Sequence, residues 1–108
     1  MKVFDYQSAL ERACDNKEFL LDLILGFEGS FPQNLQKVRM LISELNTEQA
    51  YKEVHSLKGA LVNLGAEKAG ALAKQIEIKL REGDTNVNLE ELERLVSEFL
   101  EEAKRKLS

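Results

Sequence analysis

NTEQAYKEVHSLKGALVNLG, residues 46–65, is the stretch on which the fold turns. Ala50, Val54, Leu57, Leu61 and Leu64 recur at spacings of four and three, which is one apolar stripe on an α-helix. Asn46 or Thr47 can cap its start, and Gly65 is a natural left-handed stop. A half-buried strand would need apolar and polar residues to alternate, and no run in the chain does so. His55, the only histidine, lies one step off the stripe, at its edge. Lys58 and Gly59 follow three and four residues later, so the three share one helix face. Glycine inside a helix costs about 1 kcal/mol relative to alanine. A helix that carries one beside its only imidazole has a use for open space there.

The same repeat continues outward. Upstream, Ile24, Phe27, Phe31, Asn34, Val38, Leu41 and Leu45 fall three and four apart, and Leu20, Leu23, Leu35 and Ile42 widen the stripe. Its phase survives Gly29-Ser30-Phe31-Pro32, which predicts one long helix between about residues 15 and 45, kinked near Pro32. The alternative is two helices, with Ser30 as N-cap and Gln33 closing a capping box. Downstream, Ala69, Leu72, Ile76 and Leu80 mark a helix from Ala66 or Glu67 to about Glu82. Gly83-Asp84-Thr85-Asn86 is turn chemistry. Leu92, Leu95, Val96, Phe99, Leu100, Ala103 and Leu107 then form a broad stripe from Asn88 to the end. A short helix over roughly residues 4–13 presents Phe4, Ala9, Leu10 and Ala13, with Asp5 or Asp15 as a cap for it or for the next helix. Short connections make the last three long helices antiparallel neighbours. The expected fold is all-α: an antiparallel up-down four-helix bundle with a short extra N-terminal helix, one domain over residues 1–108.

Composition narrows the function classes. The chain has 108 residues, 44% apolar and 31% charged, enough for one core and a solvated surface. Net charge is −4 with both signs interspersed, so no basic face suggests nucleic acid. No apolar run reaches the length of a membrane span, and MKVFDYQSALERACD has no signal-peptide core. A cytoplasmic, monomeric protein is expected. The single Cys14 allows neither an intramolecular disulfide nor a zinc cluster, and it reads as a small buried apolar residue. One histidine among scattered carboxylates gives no coherent metal-ligand set, and no cofactor is expected.

His55 with Lys58 and Gly59 suits phosphoryl carriage. The imidazole needs one accessible nucleophilic nitrogen and an acceptor that fixes the other. It also needs a cation nearby and an absence of bulk. Glu77 is the best acceptor. Gly70, Lys74, Glu77 and Arg81 form one stripe on the following helix, beside its core positions. His55 lies about 15 Å before Gly65 along one helix, and Glu77 about 18 Å after it along the next. An antiparallel turn at Gly65 therefore brings them side by side.

The run His55-Ser56-Leu57-Lys58-Gly59, followed by Asn63-Leu64-Gly65-Ala66 and Ile76-Glu77, resembles the histidine-containing phosphotransfer (HPt) domain family. The resemblance covers nearly the whole chain, including Phe19 to Leu45 around Phe27. It implies that His55 is phosphorylated on its outer ring nitrogen and that Glu77 holds the inner one. Lys58 would contact the phosphoryl group, and Gly59 would give room. Val62, Gly70, Lys74 and Arg81 would lie on the partner-facing surface, Lys74 and Arg81 being the weaker transfers. The implied partners are response-regulator receiver domains and hybrid sensor histidine kinases. No Gly-rich nucleotide loop or ATP-lid pattern is present, so no autonomous kinase activity is expected. A non-catalytic helical adaptor that binds a receiver is the competing class, and the joint presence of His55, Lys58 and Gly59 argues against it. The lack of an activated cysteine or a pocket-like cluster argues against a conventional enzyme.

Overall fold

The computed structural model describes residues 1–108. It contains five helices: α1 (Tyr6–Arg12), α2 (Lys17–Ser43), α3 (Thr47–Asn63), α4 (Glu67–Arg81) and α5 (Leu89–Leu107). There is no strand. Four of the five starts are capped by a short polar side chain that accepts a backbone N–H three residues on. Asp5 takes Ser8 N, Asn16 takes Phe19 N, Asn46 takes Gln49 N and Asn88 takes Glu91 N. Ala66, at the start of α4, has no side chain to do this.

The four internal helix ends close in one way. After α1, α2, α3 and α4 the residues Cys14, Leu45, Gly65 and Gly83 adopt positive φ. In each case the next amide reaches back to a carbonyl in the last turn, as in Asp15 N to Leu10 O (2.8 Å) and Ala66 N to Leu61 O (2.9 Å). This is the Schellman closure, which satisfies carbonyls that the helix leaves orphaned. Two of the four ends use a residue with a Cβ, in a backbone region that favours glycine.

That closure corrects two expectations. Cys14 is exposed, not buried, because it occupies the turn just past α1, beyond the packed face. Leu45 likewise leaves the stripe of α2 and is exposed. Leu23 is also largely exposed, and Leu72 only partly buried, so both stripes are narrower than their spacing suggested.

α2 is one continuous helix of 27 residues through Pro32, so the two-helix alternative is excluded. Ser30 is not an N-cap; its hydroxyl donates back to Phe27 O. Pro32 lies on the exposed face while Phe27, Phe31 and Leu35 stay buried across it. The proline ring therefore meets solvent instead of the core.

The four long helices enclose the core. α3 packs on α2 and α4, and α5 packs on the same two. Phe99, Leu20, Ile24, Leu35, Leu61 and Leu80 are fully buried between them. Ion pairs Glu28–Lys104 and Arg39–Glu93 mark α2 and α5 as antiparallel. The N-terminal segment is tied to the α3–α4 turn by Asp5 N to Gly65 O (2.7 Å) and Lys68 N to Lys2 O (3.1 Å). Phe4 meets the edge of Phe99 at 5.5 Å, and Arg12 donates to the carbonyl of Val62. No helix is long and apolar enough to cross a membrane.

The two kinds of helix end should respond oppositely to substitution. A Cβ at Gly65 would stand 2.6 Å from Asp5 O at φ +80°. Gly65→Ala should cost more than the roughly 1–2 kcal/mol of left-handed strain alone. Leu45→Gly removes such strain from an exposed residue and should be neutral or stabilise by up to about 1 kcal/mol. Denaturant melts of the two variants check both signs.

Candidate functional site

The site rests on how closely α4 approaches α3. The face of α4 turned inward carries Ala66, Gly70, Ala73 and then Glu77, all buried. The first three have almost no side chain, so the helices draw together along their length. A Cβ at Gly70 would lie 3.3 Å from Val62 Cγ2, so this glycine serves packing. That corrects its expected place on a partner-facing surface: Gly70 is buried between helices. The contacts Val62–Gly70, His55–Glu77 and Tyr51–Arg81 descend α3 as they ascend α4, so the two helices are antiparallel.

Glu77 ends this stripe as the one buried charged residue of the chain, 3% exposed. Three groups converge on it. His55 Nδ1 is 2.9 Å from Oε2. Arg81 Nη2 donates to the same oxygen at 3.1 Å. Lys58 Nζ lies 3.0 Å from Oε1. This last contact is an ion pair at an angle unsuited to hydrogen bonding, and Oε1 has no other partner. Burial is the largest single influence on the Glu77 carboxyl and would raise its pKa. The Lys58 ammonium against Oε1 and the hydrogen bond from His55 together outweigh it and hold the group below the ordinary carboxylate value.

This geometry assigns the imidazole protons. A carboxylate only accepts, so Nδ1 of the neutral ring carries the hydrogen and donates it to Glu77. Lys58 Nζ is 3.4 Å from the same nitrogen, but an ammonium only donates, so it acts there as a neighbouring charge. Nε2 keeps its lone pair. The His55 side chain is 61% exposed, so the ring combines a fixed inner edge with an open outer one. A nucleophilic imidazole requires that combination.

The predicted residues sort as follows. His55, Lys58, Glu77 and Arg81 are brought together. Gly59 lies one turn from His55, with nothing within 4 Å of where its Cβ would be. Val62 is exposed on α3. Lys74 is exposed on α4 and takes no part in the cluster around Glu77. Lys58 is only 23% exposed and is engaged with Glu77, whereas the sequence reading had it meeting a phosphoryl group directly.

One participant was missed. Tyr51 lies one turn before His55, half-buried against the core, and the Arg81 guanidinium sits 5.4 Å from its ring centroid. The Glu77–Arg81 pair alone, i to i+4 on a helix, contributes only about 0.3–0.5 kcal/mol. A ring face adds about 0.5–1 kcal/mol. The signal was legible in principle, since an aromatic residue four before the histidine shares its face. Tyr51, Lys52, His55, Ser56 and Arg81 line a shallow depression beside the imidazole. The largest cleft, between Arg39, Ser43, Lys79 and the 85–90 connection, includes none of these side chains. No group of three or more His, Cys, Asp and Glu side chains gathers as a metal site.

A family model described as the Hpt domain matches residues 22–106. No curated protein and no solved structure matches the chain.

Because Glu77 titrates lower folded than unfolded, its stabilising effect is complete above the ordinary carboxylate pKa, near about 4. It is lost as pH falls through the depressed folded value. Glu77→Gln removes this proton-linked contribution. The variant should be less stable by about 1–3 kcal/mol at neutral pH, and the gap should narrow below about pH 4. Paired denaturant melts from neutral pH to about pH 3 measure it.

Proposed function

Because the chain belongs to the Hpt domain family, we propose that His55 is the residue on which it carries a phosphoryl group. Membership brings histidine phosphotransfer in phosphorelay signalling. The observation that carries it is the 2.9 Å contact from His55 Nδ1 to buried Glu77, on a ring that is otherwise exposed. Glu77 holds the tautomer and the ring plane, so Nε2 presents its lone pair outward without first having to be oriented.

The transfer is a displacement at phosphorus. Nε2 attacks the phosphoryl group of a receiver's aspartyl phosphate, forming an N–P bond as the acyl O–P bond breaks, and the aspartate leaves as a carboxylate. Discharge to another receiver reverses these roles. Lys58 and Arg81 supply positive charge beside the ring as the dianionic group arrives. For Lys58 this means loosening from Glu77, which is its partner before phosphorylation. Gly59 leaves the approach unobstructed, and exposed Val62 gives the partner an apolar contact on the same face. Lys74 flanks that surface on α4.

The partners in this reading are response-regulator receiver domains and hybrid sensor histidine kinases. The chain works as a stoichiometric carrier without kinase activity of its own, as a cytoplasmic monomer. Residues 1–108 act as one domain, with the four long helices in antiparallel up-down order.

Incubation with a phosphorylated receiver should leave acid-labile, base-stable phosphate on the protein. His55→Gln should abolish it and cost no more than about 1.5–3 kcal/mol, the worth of one hydrogen bond to a charged group. Undiminished phosphate uptake by that variant would sink the assignment; a receiver that binds the wild type without any transfer would indicate an adaptor.

Gly59→Gln tests the approach path. The open space around Gly59 should let the variant fold, with helix propensity raised by up to about 1 kcal/mol, while transfer slows. A wild-type transfer rate, read by stopped-time gels, would remove clearance as the reason for the glycine.

A further inference from the structure

We propose that Tyr51 is a positioning residue for phosphoryl exchange on His55, acting through Arg81 and Glu77. The inference rests on the reading of His55 as the carrier. Tyr51 and His55 are one turn apart on α3; Arg81 and Glu77 are one turn apart on α4. The four side chains form a closed rectangle across the helix pair. The ring of Tyr51 holds the Arg81 guanidinium at 5.4 Å from its centroid. The guanidinium donates to Glu77 Oε2 at 3.1 Å. That same oxygen accepts from His55 Nδ1 at 2.9 Å.

Arg81 is an exposed, long side chain on the rim of the site. Without a platform its pair with Glu77 would be intermittent, as exposed i, i+4 pairs are. Tyr51 is packed against the core, so its ring is a fixed platform. It keeps the guanidinium beside Oε2, while Lys58 meets the other oxygen. Glu77 is thereby gripped at both oxygens, by Lys58 at Oε1 and by Arg81 at Oε2, and cannot swing away from the imidazole. No hydrogen bond engages the Tyr51 hydroxyl, so the aromatic face carries the effect.

Two variants separate the ring from the hydroxyl. Tyr51→Phe keeps the face, and Tyr51→Leu keeps an apolar side chain without it. The first readout is the pair of imidazole nitrogen-15 shifts of His55 in the unphosphorylated protein, which report the tautomer without requiring any phosphoryl transfer. The second is single-turnover loading with phosphoramidate as donor, separated into a maximal rate constant and a half-saturating donor concentration. Tyr51→Phe should match the wild type in both. Tyr51→Leu should show tautomer averaging and a maximal loading rate lower by about two- to fivefold, the worth of the lost ring contact, with the half-saturating donor concentration nearly unchanged. Arg81→Gln, which leaves the core untouched but also removes a charge beside the ring, should show the same tautomer averaging and lose at least as much rate as Tyr51→Leu, and the double variant should be no worse than Arg81→Gln. If Tyr51→Leu folds poorly, the His55 nitrogen shifts of Arg81→Gln still decide, because a wild-type tautomer there breaks the link from Tyr51 to the imidazole.

A wild-type tautomer and loading rate in Tyr51→Leu, or a wild-type tautomer in Arg81→Gln, would overturn the proposal. So would additive losses in the double variant, or an equal loss in Tyr51→Phe. If the wild type fails to take phosphate at His55, the carrier reading fails instead, and the nitrogen shifts still decide whether Tyr51 positions the ring.

Discussion

One buried carboxylate organises this protein. A charge as enclosed as that of Glu77 is costly unless it is paired and hydrogen-bonded. The chain meets that demand with three groups from two helices: His55 and Lys58 on α3, and Arg81 on α4 itself. The dependence runs both ways. The carboxylate is tolerable because of the cations, and the imidazole is oriented because the carboxylate cannot leave. The depressed pKa of Glu77 is the thermodynamic trace of that exchange. It means the acceptor stays ionised well below neutral pH.

The arrangement depends on helix spacing. Ala66, Gly70 and Ala73 hold α4 against α3, and the next position inward along that line is Glu77. Larger side chains there would separate the helices and pull Glu77 away from His55. The turn at Gly65 sets the register, and the N-terminal segment binds that turn through Asp5 and Lys2. α1 and its leader therefore act at a distance from the imidazole. They anchor the hinge point from which both helices run, and so help to fix which residue of α4 faces His55.

Much of this was legible in the chain before any coordinates. Every long helix announced itself through apolar residues three and four apart, and the asparagines that cap α3 and α5 stood at the expected starts, while α2 is capped by Asn16 and not by Asp15 beside it. The unbroken phase across Pro32 indicated one helix, and one helix is present, because the proline lies on the solvent side. The pairing of His55 with Glu77 followed from counting residues either side of Gly65. Elsewhere the count misled. Leu45 and Cys14 fit their patterns, yet both fall in left-handed closing turns, where the backbone, not hydropathy, decides exposure. Gly70 was grouped with Lys74 and Arg81 as a surface stripe, but α4 is rotated so that Gly70 and Glu77 face inward.

What the sequence determined by itself was the periodic and the local: helix number, most caps, and the segments meeting at Gly65. Those follow from backbone geometry and from side-chain repeats that act within a few residues. What only the tertiary structure decided was the rotation of each helix about its own axis. A rotation of a few tens of degrees keeps an apolar stripe largely buried, so hydropathy alone leaves it loose. Close packing of Gly70 against Val62 resolves it. That contact buried Glu77, committed Lys58 to it and laid Arg81 across Tyr51, because each of these depends on distances of a few ångströms between helices that a linear chain does not record.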